Sequence, residues 1–232
     1  PVWEAGEILR TRNPASRNIF TALGNNAVNF VPGNAAVLSQ KLGAADEEEA
    51  ANLIHWGRGN PINGYRDRQG WILGDIIHST PVVVGPPSQY VLEESYEIFR
   101  QANENRRKMV YVGVNDGMIH GFDAESGTER WAFVREFALP KFDAMADSFY
   151  CHLYSCDQTT TVKDAKINGV WKTVMVGGGG GGSSGLFALD ITDPDSPRVL
   201  WQADLPNGKK DHSQVEIVSI GGTSVALVGS GF

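Results

Sequence analysis

The sequence predicts an all-β protein: a β-propeller fragment of about two and a half four-stranded blades, behind a loop-rich, partly helical lead-in. Three observations predict it. Glycine is in excess, at 27 of 232 residues, where average usage of about 7% would give roughly 16. These glycines punctuate many short apolar runs, the pattern of strands joined by tight turns. The runs also repeat in series, and each complete repeat carries a tryptophan in its last strand, Trp131 and Trp201.

Composition narrows the function classes. Hydrophobic residues at 41% and charged residues at 20% are globular values, which excludes a disordered or fibrous chain. A chain of this length can bury a core without disulfide staples. Twenty Lys and Arg stand against 27 Asp and Glu, a net charge of -7, so nucleic acid is not the expected partner. No run approaches roughly eighteen apolar residues, so no membrane span is expected. The chain opens at Pro1 without a Met or a basic and apolar leader, and the expectation is a mature or cut piece.

Residues 1–70 read as a lead-in that packs on the propeller. Asn13-Pro14, Pro32-Gly33-Asn34, Gly59-Asn60-Pro61 and Asn63-Gly64 are closely spaced turn signals. Between them one short helix is expected, from Asp46 to about Trp56. Asp46 suits its N-cap, the Glu47, Glu48 and Glu49 run suits the positive end of the helix dipole, and Gly57 suits a stop. Ala50, Leu53, Ile54 and Trp56 supply its apolar face, and the acidic run is read as a charged first turn rather than a calcium or partner site.

Residues 71–232 read as the partial propeller. Blade 1 covers about 76–134, with strands near 79–84, 110–113, 118–123 and 129–133. A helix is inserted over about 93–103, with Tyr96 and Phe99 on one face. Blade 2 covers about 158–203, with strands near 159–162, 173–177, 185–190 and 198–202. A third unit starts at about 214 and stops at Phe232 after two strands, which would leave backbone donors and acceptors unpaired. The expectation is that more chain follows.

Equivalent positions in the repeat give the candidate docking residues. Asp123 and Gly127 shape the hairpin before Trp131, Asp190 stands in the same place before Trp201, and the two indoles are expected to pack between blades. Asp190, Asp193 and Asp195 are weak candidates for a calcium site, but Pro194 and Pro197 favour a plain turn. Cys151 and Cys156 are too few for a zinc site and could form a local disulfide or remain two free thiols. The glycine run 177–182 lacks the Lys and the following helix of a phosphate loop, so it reads as a linker between strands. His55, His78, His120, His152 and His212 form no metal-binding spacing. His78 and Ser79 should point to opposite faces of a strand rather than share a proton.

Several stretches together closely resemble one family. Residues 74–85 (Gly-Asp-Ile-Ile-His-Ser-Thr-Pro-Val-Val-Val-Gly), 109–123, 12–20, 65–68 and 186–194 resemble, in order, the C-terminal domain of PilY-type pilus-tip proteins. The likeness covers almost the whole chain. It implies a secreted, non-enzymatic component of the type IV pilus, outside the cell after passage through the periplasm. That component would be carried at the tip on minor pilins and would act in pilus extension, adhesion to host or abiotic surfaces and twitching motility. It also implies calcium in an aspartate-rich loop, expected beyond Phe232, with no cofactor in the residues in view. Residues 123–131 further resemble the tryptophan-docking repeat of quinoprotein dehydrogenase propellers, so the blades are expected to be quinoprotein-like. The alternative that follows is a periplasmic pyrroloquinoline-quinone dehydrogenase. Against it, Cys151 and Cys156 are not the adjacent pair those enzymes use. An envelope-assembly scaffold is the third reading.

Overall fold

A computed structural model describes residues 2–205 and 213–229. His212 and the last residues of the expected third unit, 230–232, lie outside them. Blade 1 is built from β3 (Val82–Val84), β4 (Met109–Val114), β5 (Met118–Asp123) and β6 (Glu129–Val134), each antiparallel to the next. Gly117 turns β4 into β5 with φ +95°, a backbone state that costs glycine nothing. A helix, α4 (Glu94–Ala102), is inserted between β3 and β4. Blade 2 repeats the meander with β7 (Thr161–Ile167), β8 (Val170–Gly178), β9 (Gly185–Asp190) and β10 (Arg198–Asp204). A hairpin, β11 (Glu216–Ile220) and β12 (Thr223–Leu227), begins the third unit.

The sheets stack face to face because both faces of each strand are apolar. Side chains alternate along a strand. In blade 1, Met109, Tyr111, Ile119, Trp131 and Phe133 point to one side, where they share a core with Met175, Phe187 and Leu189 of blade 2. On the other side of blade 2, Val174, Val176, Leu186 and Ala188 pack with Val215 and Ile217 at the start of the third unit. The free face of blade 1 is covered by helices, with Met118, Ala132 and Val134 meeting Leu38, Leu53, Trp56 and Phe142. The molecule is therefore mostly sheet, a row of stacked blades that does not close into a ring among the described residues.

The lead-in departs from its expected form. It holds three helices, not one: α1 (Ala5–Arg10), α2 (Ala35–Leu42) and α3 (Glu47–Arg58). It also holds a hairpin, β1 (Ile19–Leu23) and β2 (Asn26–Asn29). β1 lies parallel to β6, so blade 1 becomes a six-stranded sheet in the order β2-β1-β6-β5-β4-β3. A division at residue 70 cuts through this sheet. The physical reason is the outer edge of β6, whose unpaired backbone groups β1 satisfies. α3 matches its sequence signals: the Asp46 side chain accepts from the Glu49 amide at 2.8 Å, and Gly59, at φ +115°, ends it. A further short helix, α5 (Phe142–Ala146), follows β6 through a 3-10 turn.

Candidate functional site

Trp131 stands at the junction of the two blades. Its indole is fully buried against Tyr111 and Phe20, with ring centroids 5.4 and 6.0 Å away. Its Nε1 donates to the Pro194 carbonyl of the next blade at 2.9 Å. Beside it Arg130 donates to Asp195 at 2.7 Å. Gly121 lies beneath the ring, where a Cβ would come within 2.8 Å of the indole. The hairpin before Trp131 is shaped by Asp123, whose Oδ1 accepts from the amides of Glu125 and Ser126, both at 2.9 Å. Gly127 closes it with φ +71°, packed against Trp3 of the lead-in. In the second unit Asp190 accepts from Thr192 and pairs with Lys172. Burial pushes the Asp190 carboxyl up, but Lys172 and Thr192 hold it below the usual carboxylate range. Trp201 is half-buried in the core between blade 2 and the third unit, after a β-bulge at Val199 that turns it to that face.

The structure does not gather the three aspartates as ligands. Asp190 faces Lys172, Asp195 faces Arg130, and Asp193 caps the Asp195 amide at 3.0 Å. Asp190 thus spends both oxygens on Lys172 and Thr192, while Asp193 and Asp195 each engage one oxygen, in the turn and with Arg130. Among the described residues no cluster of three or more His, Cys, Asp or Glu side chains forms a metal site. Of the two cysteine alternatives the structure holds the free thiols. Both cysteines are free: Cys151 is exposed, whereas Cys156 is buried and its Sγ accepts from Arg135 at 3.0 Å. Burial pushes the Cys156 thiol up, so it stays neutral although Arg135 pulls the other way.

One end of the stacked blades carries most of the loops. In an antiparallel blade, the start of the first strand and the turn between the second and third strands lie at the same end. Here that end collects the leads into β3, β7 and β11 and the β4–β5 and β8–β9 turns. They are tied together: the Asn115 side chain links the Asp75 carboxylate, at 2.8 Å, to the Ser155 amide, at 2.9 Å. His152 contacts Asp75 at 2.9 Å, and Thr80 donates its amide to Thr159 at 2.8 Å. The glycine run fits this packing, because a Cβ at Gly182 would meet the Ser155 carbonyl at 2.5 Å and one at Gly180 the Asp157 carbonyl at 2.7 Å. A cavity of about 450 Å³ opens between the strand starts, lined by His78, Tyr154, Asp157, Thr159, Gly181 and Gln214 among others. His78 is paired with Asp157, while the Ser79 hydroxyl turns away to the Gly113 carbonyl. In the segments that lead into this end, Ile76 and Ile77 before β3 and Phe149 and Tyr154 before β7 expose apolar surface, Phe149 to 91%.

A buried charge cluster, absent from the sequence reading, fastens the lead-in to blade 1. Arg17 holds Glu129 through two hydrogen bonds, at 2.8 and 2.9 Å, and both side chains are almost fully buried. His120 bridges Glu129, at 2.8 Å, and Asp116, at 3.0 Å. The available signal was charged residues at inward-facing strand positions within apolar runs.

The family model described as the PilY1 β-propeller domain matches residues 73–227, the span of both full blades and the hairpin. The chain belongs to the PilY1 β-propeller family. The type IV pilus biogenesis factor PilY1 of Pseudomonas aeruginosa strain UCBPP-PA14 is 37% identical over 226 residues, covering 87% of this chain and 19% of the relative. A PilY1 homolog of Xylella fastidiosa is 34% identical over 211 residues, covering 87% of this chain and 16% of the relative. The crystal structure of the P. aeruginosa PilY1 C-terminal domain is 31% identical, with a TM-score of 0.49, covering 63% of this chain and 31% of that one. The chain thus spans less than a fifth of the length of these curated relatives. The PilY1 match includes the loop-rich end and Trp131, but it starts after the strand β1 that completes the blade 1 sheet. Among the described residues no helix is long and apolar enough to cross a membrane.

Proposed function

We propose that this PilY1-family propeller is a non-enzymatic platform within a type IV pilus biogenesis factor, acting outside the cell at the pilus tip. In this reading its loop-rich end contacts minor pilins, and the parent protein serves pilus extension, surface adhesion and twitching motility. Asp123, Gly127, Trp131, Asp190 and Trp201 keep the blades in register so that the loops form one fixed surface. The observation that carries the proposal is the pairing of a fully buried inter-blade indole with exposed apolar side chains at one end. The printed names of the relatives supply the pilus context. At the cavity His78 pairs with Asp157, and the neighbouring Ser79 hydroxyl donates to the Gly113 carbonyl rather than to His78.

The test uses the full-length protein carrying Ile77→Asp together with Phe149→Asp. Both side chains are exposed, so folding should be unchanged, while co-purification with minor pilins and twitching should be lost. Unchanged co-purification would remove the loop end as the contact surface. Quinone absorbance with dye-linked alcohol oxidation by the full-length protein would replace the platform reading with an enzymatic one.

A further inference from the structure

Two arginines after α3 stand in a cleft without an ion-pair partner among the described residues. α3 stops at Gly59 and the chain doubles back, placing Arg66 and Arg68 over the indole of Trp56, with guanidinium carbons 5.3 and 4.2 Å from the ring centre. Arg66 also lies 3.9 Å from the centre of the Tyr150 ring. The Arg68 guanidinium donates only to the backbone carbonyls of Trp56 and Ile72. The Arg66 Nε is buried with no partner. Arg17, by contrast, holds Glu129, and Arg58 is satisfied by the carbonyls of Pro14, Ala15, Arg17 and Phe30. Asp67, between the two arginines in sequence, spends its Oδ1 on the Gln69 amide at 2.7 Å and forms no ion pair with either.

Burial is unfavourable for such charges. It draws the Arg68 guanidinium down to about 10; Asp116 opposes this in part, and the Arg17 and then the Arg66 charges add to it. Two like charges half-removed from water, with a buried donor unused, are relieved by an incoming anion. The two arginines separate two clefts. The smaller, about 270 Å³, is also lined by Asp75 and Asp116, which repel an anion. The larger, about 380 Å³, has Asp67 as its one lining carboxylate and is otherwise walled by Trp56, Ile62, Tyr65 and Ile72 with turn backbone.

We propose that this larger cleft binds a carboxylate carried on a peptide segment, an Asp or Glu flanked by aliphatic residues, with the Arg66 and Arg68 guanidinium groups holding the carboxylate over Trp56. The guanidinium fork matches a carboxylate through two parallel hydrogen bonds. The apolar walls and a volume beyond that of a small inorganic ion favour a peptide over a free anion. This site is separate from the loop-end surface, and its test reads binding alone.

The experiment is isothermal titration of the full-length protein with acetyl-Leu-Glu-Leu-amide and, in parallel, with acetyl-Leu-Gln-Leu-amide. The Glu peptide should bind at least about tenfold more tightly than the Gln peptide. Arg66→Gln should reduce binding of the Glu peptide about tenfold, with only a small drop in melting temperature from the lost stacking on Trp56 and Tyr150. Arg66→Lys keeps the charge without the fork and should fall between; it carries the test if Arg66→Gln does not fold. Equal binding of the two peptides, or an Arg66→Lys protein that binds like the wild type, would overturn the proposal. So would displacement of the Glu peptide by an equal concentration of inorganic phosphate, which would make the cleft a free-anion site.

Discussion

At Glu129 a single carboxylate faces two donors from Arg17 and one from His120, inside blade 1 and out of contact with water. Burial raises the proton affinity of Glu129, but Arg17 and then His120 outweigh it and hold the group far below the usual carboxylate range. For His120 burial favours the neutral ring, yet Asp116 and Glu129 raise it to about 9. A raised histidine stabilises the fold fully below its unfolded value near 6.5, and that contribution is lost as pH climbs through about 9. Unfolding free energy from urea titration should therefore fall by about 3 kcal/mol between pH 6.5 and pH 9.5. His120→Gln should flatten this slope, and an unchanged slope in the variant would remove His120 as its source. Glu129 acts with the opposite sign, since its contribution is present above pH 4.5 and lost on acidification. Glu129→Gln strands the Arg17 charge in the interior and should destabilise by about 3–5 kcal/mol at neutral pH.

At the scale of elements the two tryptophans are not equivalent. Trp131 is fully buried and hydrogen-bonded across the blade junction, so Trp131→Ala should lower unfolding free energy by about 3–5 kcal/mol. Trp201 is half-buried, and Trp201→Ala should cost about half as much, ~2 kcal/mol. Equal losses in urea denaturation would contradict the different burial. The blade strands were legible in the sequence because apolar runs, turn residues between them and a tryptophan in the last strand follow in the same order in both units, with Asn-Asp-Gly and Glu-Ser-Gly in blade 1 and the glycine run and Pro-Asp-Ser-Pro in blade 2. The hairpin β1–β2 was missed although Gly24-Asn25 is a two-residue turn of a known type. Its parallel pairing with β6 joins residues 19 and 132, and no local pattern encodes a contact that distant. α2 carried Ala35, Leu38 and Leu42 at helical spacing, but the turn signal at Pro32-Gly33-Asn34 masked its start. The hairpin residues Asp123 and Gly127 were legible for the same reason as the strands. The Arg17–Glu129 contact was not, because its partners lie far apart in the chain and converge only after β1 docks.

At the scale of the whole molecule the blades behave as layers of one body, with the helices of the lead-in as its outer layer. The cysteines report on that packing. Cys151 should react with a thiol reagent in the native protein, and Cys156, closed off behind Arg135 in the inter-blade core, only on unfolding. Simultaneous reaction of both under native conditions would mean that the blades part. The stacking itself is tested most directly by native-state hydrogen exchange of β6, residues Glu129–Val134, against β9, residues Gly185–Asp190. If the blades are locked through Trp131, the slowest amides of both strands exchange with the same opening free energy, and Trp131→Ala lowers both together. Separate opening energies, with the substitution affecting β6 alone, would contradict the account.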